Sequence, residues 1–347
     1  MTESIPTGCS HKRDAAVAGS TEALATDDYA DEVDVVVIGG GAAGLSAALV
    51  LARARRDVLV IDAGSPRNAP AAHMHGFLSR DGFPPAELLA IGRAELTSYG
   101  GRLVTGTVTA VAPTGTGFSV SVSNGQRITA RRLLVASGLR DELPDIPGLA
   151  DRWARDVLHC PYCHGYEVRD RRLAVLAATP EAVKYTHIVR QWSNDIVLLA
   201  TPGTLSASDR SQLRARSIDI AEGVVTRVDV QNDQLRGVEL DSERRIACDA
   251  VFVPPRLVPN NDLLTALGCQ VNDAGWVIAD GTGRTSLAGI WVAGNIVNPR
   301  AQVITAAGEG SAAAIAINAD LVEEDVRNAV QNLDLGQLAQ SPLVHPA

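Results

Sequence analysis

Asp34–Gly64 reads DVVVIGGGAAGLSAALVLARARRDVLVIDAG, and the order of its parts decides the fold. An apolar run, Val35–Ile38, gives way to a turn holding Gly39, Gly41 and Gly44. Small and apolar residues suited to a close-packed helix follow, and a second apolar run, Val58–Ile61, ends on Asp62. This is the strand–turn–helix–strand pattern of a dinucleotide site. Its first glycine permits the tight turn, and its second lets a pyrophosphate approach the backbone. The third lets helix and strand pack closely, and the acid takes the ribose hydroxyls. The phosphates then rest on the helix N-terminus, where free N–H groups and the helix dipole favour anions. A lone GxGxxG is weak evidence; the flanking strands and the acid make this one specific.

The chain has 347 residues, enough for about two domains. Hydrophobic residues make up 46% and charged residues 20%, the balance of an ordinary globular chain. A net charge of −9 argues against a nucleic-acid surface, which needs clustered Lys and Arg. No apolar run approaches the roughly 18 residues of a membrane span. Residues 1–32 lack an apolar signal core and read as a polar, flexible tail, so a cytoplasmic location is expected. Five cysteines, an odd number without a signal sequence, speak against a secreted disulfide framework. Cys248 and Cys269 stand alone in mixed apolar surroundings and read as ordinary buried residues.

A second stretch, RRLAVLAATPEAVKYTHIVRQWSNDIVLLA (171–200), aligns without a gap on the first at an offset of 138 residues. Val37 falls on Val175 and Asp57–Ile61 on Asp195–Leu199, but the functional positions differ. Gly39 becomes Ala177, Gly41 becomes Thr179, Gly44 becomes Ala182 and Asp62 becomes Ala200. Thr179 puts a branched side chain where a pyrophosphate needs bare backbone, and Pro180 lacks an N–H. Glu181 adds a negative charge where an anion would sit. No Arg or Lys occurs in the following loop, Thr201–Ser206, to hold a 2′-phosphate. This copy should fold yet bind NAD(P)H poorly or not at all. The C-terminal third supplies an apolar strand ending in a small-residue turn, Thr285–Asn295, and an alanine-rich helix opening at Gln302–Gly310.

Between the two units lies LHCPYCHGYE (158–167), two cysteines three apart with a histidine on each side. The order of motifs, from the glycine fingerprint through Val135-Ala-Ser-Gly138 and CPYC to GIWVAGN (289–295), resembles the low-molecular-weight thioredoxin reductases. The resemblance spans about 34–325. It implies an α/β fold of two dinucleotide-binding, Rossmann-like domains: an FAD domain in two parts, 33–144 and 253–328, with a degenerate NAD(P)-type domain inserted at 145–252. A C-terminal tail, 329–347, completes the division. It also implies FAD on the first fingerprint, a redox-active Cys160/Cys163 pair over the flavin, and a homodimer. The cofactor set it implies is Gly39, Gly41, Ala43, Gly44, Asp62, Ala63, Asn68, His75, Ala136, Gly138, Gly294, Asn295, Gln302 and Val303. Arg67 sits with Asn68 where the family's chain crosses the flavin; His73 and His75 read as flavin-lining or as surface histidines.

The chain departs from the family in three places. His164 replaces the acid that follows the second cysteine, the second glycine motif and its basic cluster are gone, and Val253-Pro-Pro-Arg256 replaces a glycine turn. Asn295 also stands where the family has Asp. These departures resemble a side branch, the small-molecule dithiol oxidases of the gliotoxin and holomycin type. That resemblance implies closure of a disulfide in a small-molecule dithiol, with electrons passing through FAD to O2 and hydrogen peroxide formed. By position Cys163 faces the flavin and Cys160 exchanges with substrate. Imidazole raises the thiolate fraction nearby, so His164 is the expected base, while His159 reads as structural. Three other readings stand beside this one: an NADPH-dependent thioredoxin reductase, a ferredoxin-fed reductase, and a flavin protein that sequesters dithiols without turnover. HCPYCH is also half of a zinc site, but Cys248 and Cys269, 21 apart, make a poor second half, so no metal is expected.

Overall fold

The computed structural model describes residues 32–177 and 181–339, with side chains as far as 333. The expected N-terminal tail falls almost wholly outside these residues, as do Thr179, Pro180 and 340–347. The first unit is built as read: β1 (Glu32–Ile38), α1 (Ala42–Arg53) and β2 (Val58–Asp62). After α2 (Pro85–Ser98) come β3 (Arg102–Thr105), β4 (Val108–Pro113), β5 (Phe118–Val122) and β6 (Arg127–Val135). The strands lie in the order β3-β2-β1-β6-β5-β4, parallel from β3 to β6 and antiparallel beyond. Composition follows pairing. The central parallel strands are continuous apolar runs buried on both faces, whereas β5, FSVSV, alternates buried and half-buried residues.

β7 (Leu139–Glu142) leads to β8 (Val157–Leu158), α3 (Pro161–His164), β9 (Leu173–Leu176), α4 (Ala182–Val189), β10 (Ile196–Ala200), α5 (Ala207–Ala215) and β11 (Asp219–Glu222). An antiparallel trio that the sequence pattern does not announce follows, β12 (Val225–Gln231), β13 (Gln234–Leu240) and β14 (Arg245–Ala247). β15 (Ala250–Phe252) completes a second parallel sheet, β11-β10-β9-β15-β8. β16 (Arg256–Pro259) pairs antiparallel with β7, so the outgoing and returning chain run side by side. After α6 (Asp262–Leu267), β17 (Ile290–Val292) joins the first sheet beside β6, and α7 (Val303–Ala339) packs on α1. The fold is a mixed α/β architecture with two Rossmann-type sheets.

The internal copy holds at the level of hydrogen-bond register. β1 pairs with β2 as Val35↔Val58 through Ile38↔Ile61, and β9 with β10 as Leu173↔Ile196 through Leu176↔Leu199. Every pair is displaced by the same 138 residues. The turn bonds repeat as well. Gly39 N–H donates to the Ile61 carbonyl at 2.8 Å, and Ala177 N–H to that of Leu199 at 2.9 Å.

α7 differs from expectation. Residues 329–347 read as a tail, yet the helix continues to Ala339. No proline occurs there before Pro342, so propagation is not blocked, although Asn332, Asp334 and Gly336 are weak helix formers. Its middle is tied to the first sheet by ions. Arg132 of β6 bonds Asp320 and Glu324 at 2.6 Å each, while Arg131 joins Asp34, Glu324 and Asp325. At its start α7 meets α1 through small residues: a methyl group on Gly310 would overlap the Ala43 carbonyl.

Candidate active site

One cavity of about 1230 Å³ runs from the glycine turn of β1–α1 to the cysteine pair. At the turn, Gly39 has φ +103° and an added Cβ would lie 2.5 Å from the Ala136 carbonyl oxygen. Gly41 caps α1 and faces open space, so a side chain there would enter the cavity. Gly44 does not line the cavity; its missing side chain lets α1 rest on the Gly39 carbonyl. α1 has no acid in its first turn and no side-chain cap, which leaves its leading N–H groups toward the cavity wall formed by Gly41, Ala42 and Ala43. Gly40, missed in the sequence reading although it is the middle glycine of three, donates its N–H to Asp62 Oδ1 at 3.0 Å. Arg93 approaches the other Asp62 oxygen at 3.4 Å. Bare backbone, helix N-terminus and oriented acid fit the pyrophosphate and ribose of a dinucleotide such as FAD.

Ala63 and Asn68 line the next stretch, and Arg67 crosses it. Arg67 holds Asp141 of β7 through two bonds, 2.8 and 2.6 Å, and donates to Asn295 Oδ1 at 3.2 Å. Asn295 Nδ2 donates to the carbonyls of Asn298 and Ala301 at 3.0 Å each, a task no Asp could perform. Asp141 carried no sequence signal, because its partner is 74 residues away. Ala136 and Gly138 also line the cavity, and their turn is fixed by reciprocal bonds between Ser137 and Asn260. Gly294, at φ +77°, donates to Glu309, and with Gln302 and Val303 closes the wall at the start of α7.

The cysteine pair stands at the far end. Cys160 precedes α3 and Cys163 lies within it; the two form a disulfide with Cα atoms 5.2 Å apart. His164 lines the cavity beside them, and its pKa is lowered by burial and by His75, against an upward pull from Glu167. His159, read as structural, also lines the cavity; burial first and Arg67 second push its pKa down to about 4. His75 reaches across from the loop after β2, its Nε2 lying 3.4 Å from Glu167 and its Nδ1 3.5 Å from Asp81. His73 lines the wall and its Nδ1 meets the Gly82 carbonyl at 3.1 Å. Cys248 and Cys269 are buried, with no role in the cavity, and burial pushes Cys248 up to about 12. Among the described residues, no cluster of His, Cys, Asp and Glu is placed to hold a metal ion.

α4, the helix that follows the altered turn, braces the pair. The Tyr185 hydroxyl donates to the His159 carbonyl, and Tyr185 and Ile188 line the cavity. Trp192, in the turn after α4, and Tyr162 meet edge to face, with ring centroids 5.4 Å apart and planes at 87°. Gly165 lies against the same indole, where an added Cβ would sit 2.7 Å away. Tyr185 stands 138 residues after Ala47 and Trp192 after Ala54, so the alignment itself carried this signal: small residues of the first copy had become large. At the altered positions, Ala182 and Ala200 are buried and Glu181 precedes the helix.

Comparison with known proteins agrees with this architecture. The model of the family described as pyridine nucleotide-disulphide oxidoreductase matches residues 33–310. The chain is 39% identical over 165 residues to thioredoxin reductase tcpT of Claviceps purpurea, covering 46% of this chain and about half, 51%, of that protein. It is 28% identical to thioredoxin reductase sirT of Leptosphaeria maculans, covering 84% and 95% of the two chains. The crystal structure of HlmI superposes with a TM-score of 0.86 at 52% identity, covering 88% of this chain and 97% of that one. The crystal structure of a protein named thioredoxin reductase TrxB from Bacillus anthracis gives 0.81 at 32%, covering 84% and 99%. With the fingerprint, the second sheet and the disulfide in place, the chain belongs to the pyridine nucleotide-disulphide oxidoreductase family, as a thioredoxin reductase-like flavin oxidoreductase.

Proposed function

We propose that this enzyme is a dithiol oxidase: it closes an intramolecular disulfide in a small-molecule, natural-product dithiol through Cys160 and Cys163. One observation carries the reading. The second unit keeps the register of a nucleotide-binding unit but has Ala177 and Thr179 at its first two glycine positions and Ala200 at the acid, with Glu181 at the helix start; Ala182 at the third position is one that working sites also carry. Its helix and the turn after it instead brace the disulfide segment through Tyr185 and Trp192. NADPH therefore has no role in this reading, and O2 is the acceptor. The same reading divides the chain at 145 and 253, where it crosses between sheets on the paired strands β7 and β16, and makes the active form a homodimer.

FAD, held by the β1–α1 turn, Asp62 and the wall at Asn295–Val303, supplies the two-electron path from dithiol to O2 when bound. The chain's own residues do the rest. A substrate thiol loses its proton to His164, half-buried and poorly charged at neutral pH and so a free base. The resulting thiolate attacks Cys160, and Cys163 leaves. The second substrate thiol then displaces Cys160 and departs with the first as a closed disulfide. The cavity exceeds the roughly 1000 Å³ upper end of ordinary small-molecule sites, leaving room for a substrate beside a cofactor.

Oxygen uptake tests the proposal. Purified enzyme given a small dithiol and no NADPH should consume O2 and form peroxide in equal amounts, and Cys160→Ser or Cys163→Ser should abolish both. A second reading, an NADPH-dependent disulfide reductase, has the names of the Claviceps and Leptosphaeria relatives in its favour. It predicts no uptake with dithiol alone and prompt NADPH oxidation in the presence of a disulfide.

A further inference from the structure

We propose that Tyr162 is a substrate-positioning residue, a stacking platform that holds a planar, unsaturated ring of the dithiol beside Cys160. The inference rests on the dithiol oxidase reading and narrows its substrate class. Among the described residues three tyrosines are exposed: Tyr99, Tyr162 and Tyr166. Two of them carry a guanidinium over the ring. Arg53 lies 5.3 Å from the centre of Tyr99, and Arg169 lies 4.0 Å from that of Tyr166. Neither of these rings lines the cavity. Tyr162 does line it, is 64% exposed and, among the described residues, carries no such cation. An aromatic face is therefore left uncovered within the cavity, on the helix that carries the disulfide.

The ring is built to stay in place. The N–H groups of Cys163 and His164 both donate to the Cys160 carbonyl at 3.1 Å, so the single turn that carries Tyr162 is closed on itself. Trp192 meets Tyr162 edge to face, a preferred aromatic geometry. The indole is half-buried, and Gly165 leaves room for it. An edge-to-face contact uses at most one face of Tyr162, which leaves the other for a ligand. A flat π-system stacked on that face gains attraction beyond what buried area supplies, and a puckered, saturated ring of the same size does not. Position supplies the rest. Tyr162 follows Cys160 by two residues and precedes Cys163 directly, so a ring lying on it carries thiols at its edge to the disulfide. The first thiol attacks Cys160 and the second displaces it, and a ring held in one plane keeps both within reach for the two steps.

The test compares two dithiols that close disulfide rings of equal size, ortho-benzenedimethanethiol and its saturated counterpart, the vicinal cyclohexanedimethanethiol. Flavin bleaching under argon is followed against the concentration of each. In wild type the half-saturating concentration of the aromatic compound should be about three- to tenfold lower than that of the saturated one. Tyr162→Phe keeps the ring and should keep that ratio. Tyr162→Leu keeps apolar bulk without a π-face and should bring the ratio to one. A Tyr162 that serves only to pack on Trp192 would shift both dithiols alike in Tyr162→Leu and leave the ratio at its wild-type value, which overturns the platform. Equal half-saturation by the two compounds in wild type overturns it as well, with the oxidase reading intact. A wild-type flavin that neither dithiol bleaches overturns the oxidase reading and this inference with it.

Discussion

At Gly44 the first turn of α1 lies so close to the Gly39 carbonyl that even a methyl group has no room. Gly44→Ala should therefore push α1 off β1 and lose bound flavin during purification, whereas Gly41→Ala, facing open space, should fold normally and lose flavin only by crowding the phosphates. Absorbance per mole of protein at the flavin band compares them. Asn295 is the other single residue on which the wall depends. Asn295→Ala strands two carbonyls and one Arg67 donor, a loss of about 1–3 kcal/mol that a denaturant midpoint would register. His159 gives a pH signature. Its folded pKa near 4 lies below the ordinary 6.5, so the unfolded chain binds a proton the folded one refuses as pH falls from 6.5 toward 4. Stability should drop across that window by up to about 3 kcal/mol more in wild type than in His159→Asn. The glycines were legible in sequence because each answers a backbone demand. Arg67, Asp141 and Asn295 were not legible as a unit, since only the fold brings residues so far apart into one cluster.

Among the elements, α7 and α4 carry the most information. α7 is held to β6 by Arg132, which neutralises Asp320 and Glu324 in a mostly buried setting. Removing one side of a buried ion group is costly, so Arg132→Ala should destabilise the chain by about 3 kcal/mol, read as a lower denaturant midpoint. Desolvation works against Glu324's charge, but bonds from Arg132 and Arg131 prevail and its pKa falls below the ordinary 4.5. The stability it contributes is complete above pH 4.5 and is lost as pH falls through the lower folded value. The apolar runs and alanine-rich pattern announced both Rossmann units and the start of α7. The helix's full length escaped notice because a polar, proline-free segment reads equally as helix or tail. The antiparallel strands β12–β14 escaped for a similar reason: short, charge-rich strands show little contrast between faces. In α4 and the turn after it the change from Ala47 to Tyr185 and from Ala54 to Trp192 is visible in the alignment, but its purpose is not. Packing against the redox helix supplies it. Trp192→Ala should leave Gly165 and Tyr162 without their support, slowing dithiol-driven flavin bleaching while flavin content stays unchanged.

Across the whole molecule, two copies of one unit share a register and divide the labour. The first keeps bare glycine and an acid where a dinucleotide rests; the second has filled or neutralised those positions and has become a brace for the disulfide. Family membership alone does not choose between oxidase and reductase, because the distinction lies in whether the second unit delivers electrons. The flavin spectrum of purified enzyme under argon addresses that point most directly, with NADPH added to one sample and a small dithiol to another. The account predicts that the dithiol bleaches the flavin, that NADPH leaves it yellow, and that air restores the colour with peroxide formed. Prompt bleaching by NADPH would contradict it, and would mean that the altered second turn still binds and delivers a nucleotide.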